Sequence, residues 1–397
     1  MALFSRKKKK EDRVLVLDIG SGSVGAALVE SVYENEFGHI IPKILFSTRT
    51  EIELTNQTNF THYVNAMLFA YEDVLKKVYD ARFAPPDRIV GVLAAPWYAS
   101  HTRTITHSKK TPFLFTKKLW YELLMAEANI FSQQAQETFG EFDGGMRLLE
   151  RTTMSVRLNG YSVEHPFQKK TKEVALDTYF SMSPEYLLHA LEEILDKYFT
   201  RPLLWSTYLF ASFAVARDIF VNENQYLLLD IGGEVTDIGL VKDGVLVESL
   251  SFPHGKRVLL RAVMEHLAVS SEEALSMLAL YNEGLLSERH RQALLVVLHR
   301  VMNEWTKLFE RSLEMLTHDF VVPETIFITV DEGVRSLYEY AVHKEGYLQF
   351  THNSRRFNVI VVDASALHEY CTLHLLAERD QFLMIDALFA TRHKKLN

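Results

Sequence analysis

Residues 226–241 read YLLLDIGGEVTDIGLV and residues 14–29 read VLVLDIGSGSVGAALV, and the two stretches align without a gap at a constant offset of 212 residues. Leu15/Leu227, Leu17/Leu229, Asp18/Asp230, Ile19/Ile231, Gly20/Gly232, Leu28/Leu240 and Val29/Val241 are identical pairs. Each copy is an apolar run ending in Asp-Ile-Gly, then a short turn, then a second apolar run. That pattern predicts two β-hairpins. A repeat outranks any single motif, and this one predicts two similar lobes.

Small residues at such a turn leave successive backbone N–H groups open to phosphate oxygens. The aspartate at each strand end, Asp18 or Asp230, is placed to hold Mg²⁺ through water, since magnesium keeps its hydration shell and takes one or two carboxylates. One copy alone would be an ordinary strand end. Two copies with matching flanks predict a clamp on one phosphate chain, with Thr236 offering a hydroxyl.

The rest of the chain suits that plan. Its 397 residues are enough for two or three domains, and 48% hydrophobic with 24% charged residues is an ordinary globular composition. A formal net charge of −8 argues against nucleic acid as a partner. Arg6 to Lys10 is the exception, a basic arm without the apolar stretch of a secretory signal. It is read either as a solvated terminus or as a weak contact with an anionic membrane. The single cysteine, Cys371, allows no intrachain disulfide and suits a reducing cytoplasm. No apolar stretch is long enough for a membrane span; Leu203 to Ala216 is read as a buried element.

Apolar spacing predicts a helix over Tyr63 to Arg82, stopped by Pro85-Pro86, and a strand over Ile89 to Ala94. From about 104 to 199 the texture becomes a separate alternation of helix and strand, read as an inserted α+β subdomain. After the second hairpin, Asp243-Gly244 predicts a tight turn. Ser270 with Glu273 predicts a capping box, and Leu294, Leu298, Val301, Trp305, Leu308 and Phe309 the buried side of a long helix. His254 beside Gly255 is read as a surface or packing residue, and His290 and His299 lack metal-ligand spacing. Phe113 to Trp120 is read as core, with a partner surface as the alternative. Phe382, Ile385 and Phe389, followed by Arg392, Lys394 and Lys395, form a C-terminal helix expected to pack on the fold.

At these residues the sequence resembles the actin-like ATPase superfamily, and within it the FtsA family of bacterial cell division and the PilM family of type IV pilus assembly. Asp18 to Val24 resembles the first phosphate loop and Asp230 to Asp237 the second. Leu209 to Ala216 resembles the connecting helix, and Val245 to Gly255 the strand and glycine turn beyond the second loop. The resemblance implies an α/β fold of two lobes with ATP and Mg²⁺ between them, and an FtsA-type insertion. Carried over, the site comprises Asp18 and Asp230 as catalytic and metal residues. Gly20, Ser21, Gly22, Ser23, Gly232, Gly233, Thr236, Asp237, Gly255 and Gly333 contact the nucleotide.

Departures from the family pattern point to weakened nucleotide binding. Members carry a lysine near Ser23 or Gly25, so one phosphate-neutralising charge is expected to be missing. Leu275 and Leu278 stand where relatives supply Glu and Lys to the nucleoside. The adenosine loop survives only as Thr329-Val330-Asp331-Glu332-Gly333, with two acids, and a double glycine has become His254-Gly255. The expected division is an arm at 1–12, a first lobe at 13–103, the insertion at 104–199, and a second lobe with closing segments at 200–397.

The functional expectation is an FtsA-like cytoplasmic scaffold of the cytoskeletal kind in cell division, a weak ATPase at best, peripheral to the inner membrane face. Nucleotide state would control its self-association or its binding to a tubulin-like division protein. The alternatives are a PilM-like scaffold for pilus assembly proteins, a pseudo-ATPase, and a sugar-kinase-type phosphotransferase.

Overall fold

The computed structural model describes residues 12–34, 40–53, 60–139, 144–318, 320–351 and 354–392. The basic arm at Arg6 to Lys10, and Lys394 and Lys395, lie outside them. The chain opens with β1 (Arg13–Ile19), β2 (Ser23–Glu34), β3 (Ile40–Glu51), α1 (Phe60–Asp80) and β4 (Arg88–Leu93). Then come β5 (Ala99–Phe115), α2 (Lys117–Phe139), β6 (Met146–Leu158), β7 (Tyr161–Ser162) and β8 (Lys169–Pro184). α3 (Glu185–Asp196), β9 (Leu203–Thr207) and α4 (Tyr208–Ile219) follow. The next segment holds β10 (Gln225–Ile231), β11 (Thr236–Lys242), β12 (Val245–Phe252), α5 (Lys256–Leu267), α6 (Ser271–Asn282) and α7 (Glu288–Thr317). It continues with β13 (Thr325–Val330), α8 (Arg335–Val342) and β14 (Asn358–Val361), and the chain closes with α9 (Ala364–Leu367), β15 (Thr372–Leu373) and α10 (Gln381–Arg392).

Three sheets organise these elements. The first lobe has the order β15-β3-β2-β1-β4-β9, the second β12-β11-β10-β13-β14, and the insertion β5-β8-β6-β7. In both lobes the repeated hairpin is antiparallel and its first strand also pairs in parallel with a later strand, β4 or β13. Strands buried on both faces need continuous apolar runs, which is why Val14–Leu17 and Tyr226–Leu229 are all at most 5% exposed.

The expected boundaries shift for a topological reason. The insertion's sheet begins at Ala99 and ends at Pro184, and α3 leaves it. Leu187, Leu188, Leu191 and Leu195 of α3 pack with Val64, Met67 and Tyr71 of α1 in the first lobe's core. Within 200–397 the strands belong to two sheets. β9 pairs with β4, β15 pairs with β3, and α10 returns to the first lobe, while the second sheet runs only from β10 to β14. The stretch Leu203 to Ala216 divides into a strand and a helix instead of forming one element. The insertion is an α+β unit between β4 and α3; its FtsA kinship stays an expectation from sequence.

α4 and α10 cross beneath both lobes and share one apolar cluster with β1, β2, β10 and β11. Leu383 to Thr391 of α10 are all buried, so this helix is core. The insertion is tied to the first lobe through Glu150 of β6, a 3% exposed carboxylate that accepts from Ser181, Ser206 and Thr207 hydroxyls at 2.8, 2.5 and 2.8 Å. The capping box at Ser270 and Glu273 forms as expected. Among the described residues no helix is long and apolar enough to cross a membrane.

Candidate functional site

The two hairpins close in the same way. The Gly20 N–H donates to the Ser23 carbonyl and the Gly232 N–H to the Val235 carbonyl, both at 3.0 Å. They also meet each other. A Cβ placed on Gly233 would lie 2.3 Å from the Gly22 nitrogen, so only glycine permits this approach. The Ser21 hydroxyl accepts from the Glu234 N–H at 2.9 Å, and Arg257 of α5 donates across to the Ile52 carbonyl.

Each turn has its own supports. The first is held by side chains: Tyr63 of α1 donates to the Ser21 carbonyl at 2.6 Å and Trp97 to the Gly20 carbonyl at 2.8 Å, their rings stacked with centroids 5.0 Å apart. The second is held by backbone. N–H groups of Lys256 and Arg257, at the start of α5, donate to the Gly232 and Gly233 carbonyls at 3.0 and 2.9 Å. Those donors, which would otherwise attract an anion, are spent on the protein itself. Gly255 belongs to this packing, since a Cβ there would lie 2.4 Å from the Gly233 oxygen.

The charge expected to be missing from the first loop arrives from another strand. Arg49 of β3 lies opposite Gly25 in the β2–β3 ladder. Gly25 leaves the room it needs, because a Cβ there would sit 2.8 Å from Nη2. The guanidinium donates to Asp18 at 2.7 Å, to the Ser23 hydroxyl at 3.0 Å and to Asp380 at 2.6 Å. Burial pushes the Asp18 carboxyl up and Arg49 pulls it back, the net direction being upward. Burial opposes the Arg49 charge, yet Asp380 and Asp18 together hold it well above its ordinary value.

Among the described residues Asp230 has no such cation. It accepts from the Thr329 hydroxyl at 2.7 Å and faces Asp237 across the β10–β11 ladder. Burial, then the neighbouring Asp237 charge, drives its carboxyl well above the usual range. Asp237 itself, which accepts from Ser251, is pushed up to about 6 by burial. Asp331, an acid expected to repel phosphate, is neutralised by Lys256 at 2.5 Å.

Nine of the carried-over residues line one cavity: Asp18, Gly20, Ser21, Gly22, Ser23, Asp230, Gly232, Gly233 and Asp237. Three do not. Thr236 is fully buried and faces away, donating to the His254 carbonyl at 2.6 Å and accepting from the Trp305 indole at 3.1 Å. Gly255 packs behind the second turn, and Gly333 stands apart with its carbonyl bonded to Asn282. Arg49 and Lys256 also line the cavity and escape a reading by motif. His254 is buried at 3% exposure, as a packing residue is.

No family model matches the chain, and no curated protein matches it. Among solved structures, a chain of a PilM–PilN type IV pilus biogenesis complex covers 96% of this chain and 98% of its own at 15% identity, with a TM-score of 0.64. The fold is actin-like. A Bacteroides thetaiotaomicron protein described as having an actin-like ATPase fold and unknown function covers 98% and 99% at 10% identity, with a TM-score of 0.37. MreB 5 of Spiroplasma citri, bound to AMPPNP, covers 96% and 97% at 10% identity and a TM-score of 0.43.

Proteins of actin-like fold generally bind nucleotide and magnesium. The side chains here are of the right types, but each is committed to a protein partner. Arg49 holds one oxygen of Asp18. The cavity measures about 50 Å³, against roughly 300–1,000 Å³ for ordinary ligand pockets. The actin-like cleft in this arrangement does not fit ATP with Mg²⁺.

Proposed function

We propose that the chain is an assembly scaffold of the pilus type, whose actin-like lobes close without nucleotide. The observation that carries this reading is the sealed seam between the hairpins, with Arg49 against Asp18 and Gly22 against Gly233. A sugar-kinase-type phosphotransferase needs an open substrate space between its lobes, and the cavity of about 50 Å³ speaks against it. FtsA-like division and pilus assembly differ in partner, and the whole-chain match to a component of a pilus biogenesis complex favours the second. Partner contact falls to the insertion, which forms with β12 a groove of about 530 Å³ lined by Tyr98, His101, Arg103, Phe131 and Ser251.

The test has two arms. Calorimetric titration with Mg·ATP should give no heat of binding for the parent protein. Cytoplasmic tails of pilus-assembly membrane proteins should bind equally with and without nucleotide, and Phe131→Ala should weaken that binding. Binding of a tail only with ATP, or capture of a tubulin-like division protein in place of the pilus tails, would overturn the reading.

A further inference from the structure

Residues 109–118 and 169–172 carry seven lysines and no acid, in a chain whose formal net charge is −8. Sheet register brings the two stretches together. Leu114 and Phe115 of β5 pair with Lys170 and Lys169 of β8, and the irregular stretch of β5 containing Lys109 and Lys110 lies beside Lys172. α2 begins at Lys117, so Lys117 and Lys118 join the same end of the insertion. All seven lysines are exposed. Lys118 pairs with Glu122 at 3.8 Å, and the other six have no ion-pair partner among the described residues.

Apolar groups stand among these charges. Lys109 and Lys117 lie over the Phe113 and Phe167 rings at 5.4 and 5.8 Å. Leu114 is 43% exposed, and Tyr161, beyond the neighbouring Asn159-Gly160 turn, is 79% exposed. The backbone fixes that turn beside the lysines, because the Asn159 side chain accepts from the Lys172 N–H at 3.0 Å.

We propose that this end of the insertion is a docking surface for an anionic lipid bilayer. A broad anionic surface engages cations presented from two strands and a helix start at once, and lysines near such a surface attract it additively. Tyr161 and Leu114 suit the headgroup boundary, where amphipathic and apolar side chains settle. An acidic peptide would satisfy the charge while leaving those two residues unused. Helix α10, the other amphipathic segment, is buried in the core and unavailable.

The experiment is co-sedimentation of the full chain with phosphatidylcholine vesicles and with phosphatidylcholine/phosphatidylglycerol vesicles. Neither partner protein nor nucleotide is present, so failure here leaves the scaffold reading intact. Binding is expected only to the anionic vesicles and should fall as salt shortens the screening length. K169E/K170E/K172E should lower the partition about a hundredfold, from roughly fivefold for each of the three lysines removed near the surface. K109Q/K110Q, a milder change on the other strand, should lower it less, and unchanged circular dichroism establishes that both variants fold. Equal binding to neutral vesicles, unchanged binding by both variants, or loss on deleting residues 1–11 alone would overturn the proposal. Failure to bind vesicles together with capture of acidic peptides would also overturn it.

Discussion

The two repeated hairpins share a backbone and differ in what faces their aspartates. Asp18 lies opposite Gly25, and the gap is filled by Arg49. Asp230 lies opposite Asp237, with a hydroxyl from Thr329 as its donor. The first turn is fixed by Tyr63 and Trp97 side chains, the second by N–H groups of α5. Repetition therefore sets strand, turn and position, while neighbouring elements set charge. One carboxylate faces a cation; the other faces a second carboxylate and is driven further toward its protonated form.

The largest effect should come from removing the cation. Arg49→Leu leaves the buried Asp18 without its cation and with the half-buried Asp380 nearby, at a cost of about 3–5 kcal/mol in urea unfolding. Adding Asp18→Asn should recover part of that loss, whereas Asp230→Asn should recover none. Equal recovery by both would break the distinction between the hairpins.

Next comes pH. With a folded value of about 6 against an unfolded value of about 3.9, Asp237 binds its proton more tightly in the native state. Its contribution is therefore full below pH ~4, falls as pH rises toward ~6 and is flat above. Asp237→Asn should remove that slope and gain about 3 kcal/mol at pH 8 relative to pH 4. In the first hairpin the facing position is Gly25, so no carboxyl stands there to be replaced.

Gly233→Ala should cost about 1–3 kcal/mol and raise the radius of gyration in small-angle scattering, because the new Cβ meets the Gly22 backbone at 2.3 Å. Gly22→Ala, whose nearest contact would be 3.1 Å, should be milder. The smallest effect belongs to Ser21→Ala, which loses the hydroxyl that accepts from Glu234 and should cost about 0.5–1.5 kcal/mol by thermal unfolding.

Much of this was legible from sequence because hairpins are local. Apolar runs, small turn residues and a constant offset fix Asp18 and Asp230 without knowledge of anything distant. Arg49 was not legible. It sits 31 residues from Asp18, and its role arises from the β2–β3 register and the absence of a side chain at Gly25. Thr236 was misread for a related reason. Alternation along β11 puts Thr236 and Asp237 on opposite faces, and only the position of Trp305 on α7 decides which face is inward. The boundary shifts share that cause: α3, β9, β15 and α10 look like neighbours of what precedes them, and pairing with β3, β4 and α1 is what returns them to the first lobe.

The return of α10 has a consequence for how the molecule is made. The first sheet is not complete until β15 has paired with β3, and its underside is not covered until Leu383 to Thr391 have arrived. The second sheet has all its strands by Val361, and α10 covers only part of its underside. During synthesis, then, the half of the molecule that leaves the ribosome first is the half that finishes last, and its apolar underside waits for some three hundred residues before its last helix seals it.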